Sequence, residues 1–287
     1  YHRRSHFVVR LFPMFPLRSS NVRLFECSIG RAGGWGDASE TMSTELHLDH
    51  LRGVLVRLEE TIIFGLIERS QFCRNARVYA QGGMGGALNG ESLLEYVLHE
   101  AERSHAKVRR YTSPDEYPFF EDLPAPILAP LVYADNPLHV HHVNLNGEIM
   151  AAYVNEMVPF ICREGDDTNY GSCAVMDVHL LQALSKRIHY GMFIAESKYR
   201  ECTARFDVMI RANDAAGLEA SITVPEVEEL LYSRVARKAT AYSSELLMAG
   251  EGRINPETVR TIYERWILPL CKQAEVVYLL DKAAILG

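Results

Sequence analysis

Hydrophobic residues recur at three- and four-residue spacing from Glu45 onward, which is the period of an α-helix. The segment TELHLDHLRGVLVRLEETIIFGLIERSQF keeps this spacing over many turns. Its apolar positions are Leu48, Leu51, Leu55, Leu58, Ile62 and Leu66. Such a pattern puts them on one face of an amphipathic helix, whereas few stretches alternate as strands do. The chain is therefore predicted to be all-α, a single domain that forms a multi-helix bundle.

The other helices are predicted from the same period and from residue types that start helices. A Gly-rich loop over 81–90 leads to a second helix over 89–110, a Pro-rich connector covers 111–137, and a third helix covers 146–161. Three further starts are predicted where N-cap residues precede an apolar run. They are Ser172, Thr223 with Glu226 as a capping box, and Asn255 followed by Pro256. Pro269 is expected to interrupt or kink the last helix.

The first 44 residues differ in composition from the rest of the chain. The first 25 contain five Arg and no acidic residue, and a Gly-rich stretch follows them. A basic segment of this kind is typical of an organelle transit peptide, which is not part of a fold. The alternative is that translation starts at Met42. We therefore expect a disordered segment over 1–44 and a helical domain over 45–287. The protein is expected in a plastid if the segment is a transit peptide, and in the cytoplasm if translation starts at Met42.

Charge and hydropathy exclude two classes of protein. Five of the 30 basic residues lie in the first 25 positions, so the remainder carries 25 bases against 37 acids. An acidic body of this kind is a poor match for nucleic acid. No run approaches the about 20 apolar residues that a membrane span needs. The cysteines lack the spacing of metal ligands, so we expect reduced thiols and no metal site. They are Cys27, Cys73, Cys162, Cys173, Cys202 and Cys271.

Several charged residues fall on apolar helix faces. In LSKRIHYGMFIAESKY, Arg187 and Lys198 are eleven positions apart, about three turns, and so return to nearly the same apolar stripe. Arg52 in the first helix and Glu275 in the last are placed in the same way. A buried ion is costly unless it is paired, so internal salt bridges are one interpretation. The three cations outnumber the one carboxylate, which favours a second interpretation, a pocket for a small dianion between helices.

Five blocks of sequence surround these charges and carry a resemblance to a known family. The blocks are LRGVLVRLEETIIFGLIERSQF, HAKVRRYTSPDEYPFF, GDDTNYGS, LSKRIHYGMFIAESKY and LPLCKQAEVVYLL. In order and in spacing they resemble the eukaryotic, all-helical chorismate mutases of fungi and plants, with several details closer to the plant members. The match spans roughly Glu45 to Leu280.

The resemblance implies an isomerase of phenylalanine and tyrosine biosynthesis that converts chorismate to prephenate by an intramolecular Claisen rearrangement. That reaction needs no nucleophile, metal or cofactor. The enzyme holds a flexible dianion in its reactive conformer and stabilises negative charge that develops on the ether oxygen. The residues that the resemblance assigns to catalysis are Arg52, Arg187, Lys198, Glu228 and Glu275.

Each of these residues has an implied role. Arg52 and Arg187 bind the two carboxylates, to which the paired donors of a guanidinium group are suited. Lys198 donates to the ether oxygen and the neighbouring carboxylate, and Glu228 accepts from the substrate hydroxyl. Glu275 also donates to the ether oxygen, but only when it is protonated, which burial and a nearby dianion favour.

Two positions depart from the family pattern. Glu275 stands where plant members tend to have Gln, and Cys271 stands where the family usually has Thr to help bind a substrate carboxylate. A thiol is a weaker hydrogen-bond donor than a hydroxyl. These departures keep an alternative open, in which the chain binds aromatic amino acids or a small dianion without catalysing a reaction.

The resemblance also implies an effector site for tryptophan and/or tyrosine at the interface of a homodimer. Regulated members use an Arg pair and a Gly-Ser at a helix start. The matching residues are Arg109, Arg110, Asn169, Gly171 and Ser172. Guanidinium groups and a helix amino terminus together attract a carboxylate. The alternative is a solvated Arg pair and an ordinary N-cap.

Overall fold

The structure is a computed structural model that describes residues 46, 48–88, 90–129, 136–246 and 254–286. Within these ranges the regular structure is helical, apart from one isolated bridge between Cys73 and Arg163. The predicted all-α fold is therefore confirmed. The predicted segment over 1–44 and the alternative start at Met42 lie outside the described residues, and the division into two parts stays a prediction.

The helices that precede the predicted site stretch are α1 (Leu48–Ser70), α2 (Leu93–Lys107), α3 (Asn146–Ala152), α4 (Val158–Ile161) and α5 (Tyr170–His189). The later ones are α6 (Gly191–Glu201), α7 (Thr203–Arg211), α8 (Ala215–Ile222), α9 (Pro225–Leu246), α10 (Pro256–Ile262), α11 (Leu268–Asp281) and α12 (Ala283–Leu286). Every helix in these ranges is too short or too polar to span a lipid bilayer.

Two five-residue π-helical segments connect successive helices. Tyr153–Met157 joins α3 to α4, and Tyr263–Ile267 joins α10 to α11. A proline occupies the second position of the helix after each segment, Pro159 in α4 and Pro269 in α11. Since proline has no backbone N–H to donate, a change in hydrogen-bonding pattern nearby is expected. The interruption predicted at Pro269 therefore takes the form of a π-helical segment just before it.

The starts of two helices depart from the prediction. Helix α5 begins at Tyr170, so Asn169 occupies the N-cap position and Ser172 lies within the first turn. Helix α9 begins at Pro225, and Thr223 is instead the C-cap of α8. Both predictions relied on residue type, whereas α5 starts two residues before Ser172 and α9 starts one residue later than a Thr223 cap would place it.

Two other helix starts follow from capping chemistry. The side chain of Asn255 accepts a hydrogen bond from the Glu257 N–H at 3.0 Å, as predicted for the start of α10. Helix α2 is shorter than the predicted 89–110, because Ser92 and Glu95 form a capping box that starts it at Leu93. It ends at Lys107.

The stretch predicted as one long helix is divided at Tyr190 into α5 and α6. Helix α5 packs against α1, α2 and α11, and α6 packs against α11. The pair is buried almost all round, including His189 at 0% exposure and Glu196 at 4%. His189 accepts a hydrogen bond from the Leu145 N–H, and Glu196 accepts one from the Tyr278 hydroxyl at 2.6 Å. These partners compensate the burial of the polar groups.

Helices α1 and α5 approach closely at Gly65, where an added Cβ would lie 2.8 Å from Cδ2 of Leu180. We expect Gly65→Ala to lower the free energy of unfolding by about 1–3 kcal/mol, because it would overpack a filled core. Gly53→Ala in the same helix is the control, since a Cβ there would meet no atom within 4 Å. That change should be neutral or slightly stabilising. Urea unfolding measures both, and equal stability of the two variants would contradict the close contact.

Candidate active site

A cavity of about 130 Å³ lies among α1, α5, α6, α9 and α11. Its charged lining residues are Arg52, Arg187, Lys198, Glu228, Lys272 and Glu275. Cys271 lines it as well, and the rest of the wall is largely aliphatic. The structure therefore brings together all the residues that the sequence suggested for catalysis, although they come from positions far apart in the chain.

Arg187 is the most deeply buried cation of this cavity, with 3% of its surface exposed. Its Nη1 donates to the Cys271 Sγ at 3.2 Å, and its Nε has no hydrogen-bond partner among the described residues. A buried guanidinium group with an unused donor favours an anionic ligand. Burial raises the pKa of the Cys271 thiol to about 11, so the thiol stays neutral at pH 7. Cys271 therefore contributes a polar contact rather than a second negative charge.

Lys198 and Glu275 lie next to each other in the cavity wall. The Lys198 Nζ donates to the Ile222 carbonyl oxygen at 2.6 Å and lies 3.6 Å from the Glu275 Oε2. Burial raises the pKa of the Glu275 carboxyl to about 7, although the positive charges of Lys198 and Arg187 act to lower it. Both the protonated and the ionised form of Glu275 are therefore accessible near neutral pH.

Gly191 allows α6 and α11 to approach at this point. An added Cβ would lie 3.2 Å from both the Cys271 carbonyl oxygen and the Glu275 Cγ. Because Gly191 is the first residue of α6, its small size lets the helix start directly against the residues that line the cavity.

Glu228 and Lys272 form an ion pair in the cavity wall, with Oε1 and Nζ 2.7 Å apart. Lys272 was not among the predicted site residues. The sequence spacing could have identified it, because Lys272 follows Cys271 directly and precedes Glu275 by three residues. On a helix, residues three positions apart lie on the same face.

The structure contradicts the prediction that Arg52 points into the core. Its side chain is exposed and lines the outer part of the cavity. The physical reason is that Leu51, the residue before it in α1, is buried at 4% exposure, and the rotation of about 100° per residue turns Arg52 outward. Glu59, on the same side of α1, is fully buried and pairs with Arg234 at 2.7 Å and with Lys238 at 3.2 Å. Glu59 therefore forms an internal salt bridge with these two cations.

The residues suggested for an effector site form two groups. Arg109 follows α2 with a left-handed backbone (φ 71°) and donates to the Ala129 carbonyl oxygen. The Arg110 Nε lies 2.9 Å from the Glu116 Oε2, and its Nη1 donates to Gln182. Each guanidinium group of the Arg pair therefore has a partner within the chain.

Asn169, Gly171 and Ser172 form the second group, at the exposed start of α5. The Asn169 N–H donates to the Asp167 Oδ1 at 3.0 Å, which fixes the backbone just before the helix. Within the described part of the chain, no hydrogen bond joins this group to Arg109 or Arg110. The hydrogen bonds described within one chain therefore do not connect the two groups.

Comparison with known proteins was made by sequence and by fold. The family model described as chorismate mutase type II matches residues 169–276. The protein named chorismate mutase 1, chloroplastic, from Petunia hybrida is 43% identical over 265 residues, which are 87% of this chain and 80% of that protein.

Two solved structures share the fold. The Aro7p chorismate mutase from Candida albicans, in complex with L-Trp, has a TM-score of 0.79 and 38% identity, covering 83% of this chain and 92% of that one. AtCM1 with tyrosine bound in its allosteric site has a TM-score of 0.77 and 41% identity, covering 86% and 99%. With such identity over most of its length and the same helical fold, this chain belongs to the chorismate mutase family.

Proposed function

We propose that this chain rearranges chorismate to prephenate in the cavity described above. In that reaction the ether C–O bond breaks while a new C–C bond forms within the same molecule. The observation that supports the proposal most directly is the convergence of Arg187, Lys198 and Glu275 on one cavity, with Glu275 close to its point of protonation at neutral pH. A cavity of this kind can bind a dianion and also donate to a developing oxyanion.

The charges of the cavity suit that substrate. Four cations and two carboxyls line it. With both carboxyls ionised, a bound dianion makes the total charge zero. When Glu275 is protonated, one positive charge is left over, and it stabilises the transition state as negative charge moves onto the ether oxygen.

The positions of the individual residues support the roles that the resemblance assigns to them. We assign Arg187, which is buried, and Arg52, at the outer part of the cavity, to the two substrate carboxylates. Lys198 and the protonated form of Glu275 donate to the ether oxygen, and Glu228 accepts from the substrate hydroxyl. The Cys271 thiol lies beside Arg187, so we assign it to the carboxylate that Arg187 binds.

The direct test is prephenate formation from chorismate by the purified full chain. Turnover well above the uncatalysed rate is expected. If a folded, helical protein bound chorismate with no turnover, the alternative of a binding protein would replace the proposal.

We further propose that the chain forms a homodimer and binds tryptophan and/or tyrosine through Arg109, Arg110, Asn169, Gly171 and Ser172. The amino acids bound in the two related structures support this choice of ligand. Among the described residues of one chain, the two groups share no hydrogen bond, which suits a site completed by a second copy. Sedimentation equilibrium with and without each amino acid tests the assembly, and a monomer at all concentrations would contradict it.

Glu116 supplies a prediction about effector affinity. Its carboxylate pairs with Arg110, so an effector carboxylate must compete with it for the same guanidinium group. We expect Glu116→Gln to lower the effector concentration for half-maximal response by about three- to tenfold. Glu164→Gln is the control, because Glu164 pairs with Arg74 instead. An unchanged half-maximal concentration in Glu116→Gln would remove Arg110 from the effector site.

We propose a plastid location, on the basis of the basic segment at 1–44 and of the chloroplastic relative. The alternative, translation from Met42 and a cytoplasmic location, gives a different amino terminus. Mass spectrometry of the protein isolated from its own cells distinguishes them. An acetylated or free Met42 would contradict import through a cleaved leader.

A further inference from the structure

The ion pair between Glu228 and Lys272 is part of the cavity, although the roles proposed above do not use Lys272. The two side chains are each 20% exposed, and the pair joins the first turns of α9 to α11. Both residues line the cavity that holds Arg187 and Lys198. The pair is therefore not one of the fully exposed ion pairs whose contribution is small.

Lys272 restricts the position of Glu228. A Glu side chain rotates about three bonds, and a carboxylate that must accept from a substrate hydroxyl works best when one orientation is already populated. The Lys272 Nζ contacts Oε1, which leaves Oε2 of Glu228 available for a ligand.

Lys272 also lies one helical turn before Glu275, and its positive charge is among the influences that lower the pKa of the Glu275 carboxyl. The other groups that share the cavity with Glu275 come from α1, α5, α6, α9 and α11. They are Arg52, Arg187, Lys198, Glu228 and Cys271. Lys272 pairs with Glu228 and lies one turn from Glu275, so it can act on both carboxyls.

We propose that Lys272 is a positioning residue for the rearrangement, which orients Glu228 toward the substrate hydroxyl and adds a positive charge beside Glu275. The inference rests on the proposed function and deepens it. It predicts two separate effects of Lys272, one on substrate binding through Glu228 and one on the pH range of catalysis through Glu275.

The experiment measures kcat and KM for chorismate between about pH 5 and 9 in the full-length chain and in its variants. Lys272→Met should raise KM about tenfold, because Glu228 is no longer held. It should also move the alkaline limit of kcat to higher pH, because loss of a nearby positive charge raises the pKa of Glu275. Lys272→Arg keeps the charge and should restore the pH limit.

Arg260→Met is the matched control. Arg260 pairs with Glu229, the neighbour of Glu228, at 3.0 Å and does not line the cavity. This variant should keep the wild-type KM and pH profile. A Lys272→Met variant with wild-type KM and wild-type profile would overturn the inference while leaving the proposed function intact. Absence of turnover in both the wild type and Arg260→Met would overturn the proposed function and the inference together.

A second comparison separates positioning from a general loss of structure. In a Glu228→Gln background, Lys272→Met should cause little further rise in KM, because the residue through which it acts has been changed. A purely structural role would give independent, additive effects and would overturn the inference. Lys272→Gln keeps a polar side chain and replaces the Met variant in both tests if that variant does not fold.

Discussion

Replacing Lys198 by alanine should lower kcat by about 100- to 1,000-fold, which is the usual cost of removing one donor to a developing oxyanion. Lys198 is held by the Ile222 carbonyl oxygen and lies 3.6 Å from the Glu275 carboxyl, so the two donors are placed together before substrate arrives. KM should change less than kcat, because the ether oxygen gains charge only in the transition state. Steady-state kinetics with chorismate measure both constants.

Lys107→Ala is the control for that variant, because Lys107 is exposed in the last turn of α2 and does not line the cavity. It should show wild-type kinetics. If Lys198→Ala weakened chorismate binding and left kcat at the wild-type value, Lys198 would be a binding residue and would lose its proposed role in catalysis.

Activity should fall as pH rises through about 7, the value to which burial raises the pKa of the Glu275 carboxyl. The sign follows from the proposed role, in which Glu275 donates a proton and so acts only in its protonated form. Above its pKa the protonated fraction falls about tenfold for each pH unit. At pH 9 the wild-type kcat should therefore be about 100-fold below its acidic plateau.

Glu275→Gln should remove this dependence, because an amide donates a hydrogen bond at every pH in the range. We expect a flat profile between about pH 5 and 9, with the variant faster than the wild type at the alkaline end. Glu229→Gln, a change at a carboxyl outside the cavity, should keep the wild-type profile. If Glu275→Gln kept the wild-type alkaline decline, another group would be responsible for it.

Hydrophobic periodicity was sufficient to locate the deepest charges of the site. Arg187 and Glu275 lie on apolar stripes of helices that pack against one another, and both are buried in the structure. A charge on such a stripe is costly, so its presence already indicates a function or a partner. For these two residues the sequence was informative, because a residue on the covered apolar face of a helix is buried whatever its charge.

Other features depend on neighbours that the sequence pattern does not specify. Arg52 occupies the same kind of stripe, yet it is exposed, because whether a stripe is covered depends on which helices pack against that end of α1. The break at Tyr190 was not predicted, since periodicity continues across it. Lys272 was missed because its importance comes from a partner on another helix, Glu228. Pairings of this kind become visible only once the helices are assembled.

The π-helical segment Tyr263–Ile267 constrains how the length of this chain can change during evolution. A π-helical turn accommodates about one residue more than an α-helical turn, and each residue rotates a helix by about 100°. Deleting one residue within it would convert the π-helical turn into an α-helical turn, and the following helix would keep nearly the same rotation relative to its start at Asn255. Deleting one residue from the α-helical parts on either side would instead turn Cys271, Lys272 and Glu275 away from the cavity together. Homologues that keep the reaction should therefore tolerate the loss of one residue within Tyr263–Ile267, but not elsewhere between this helix start and the last site residue.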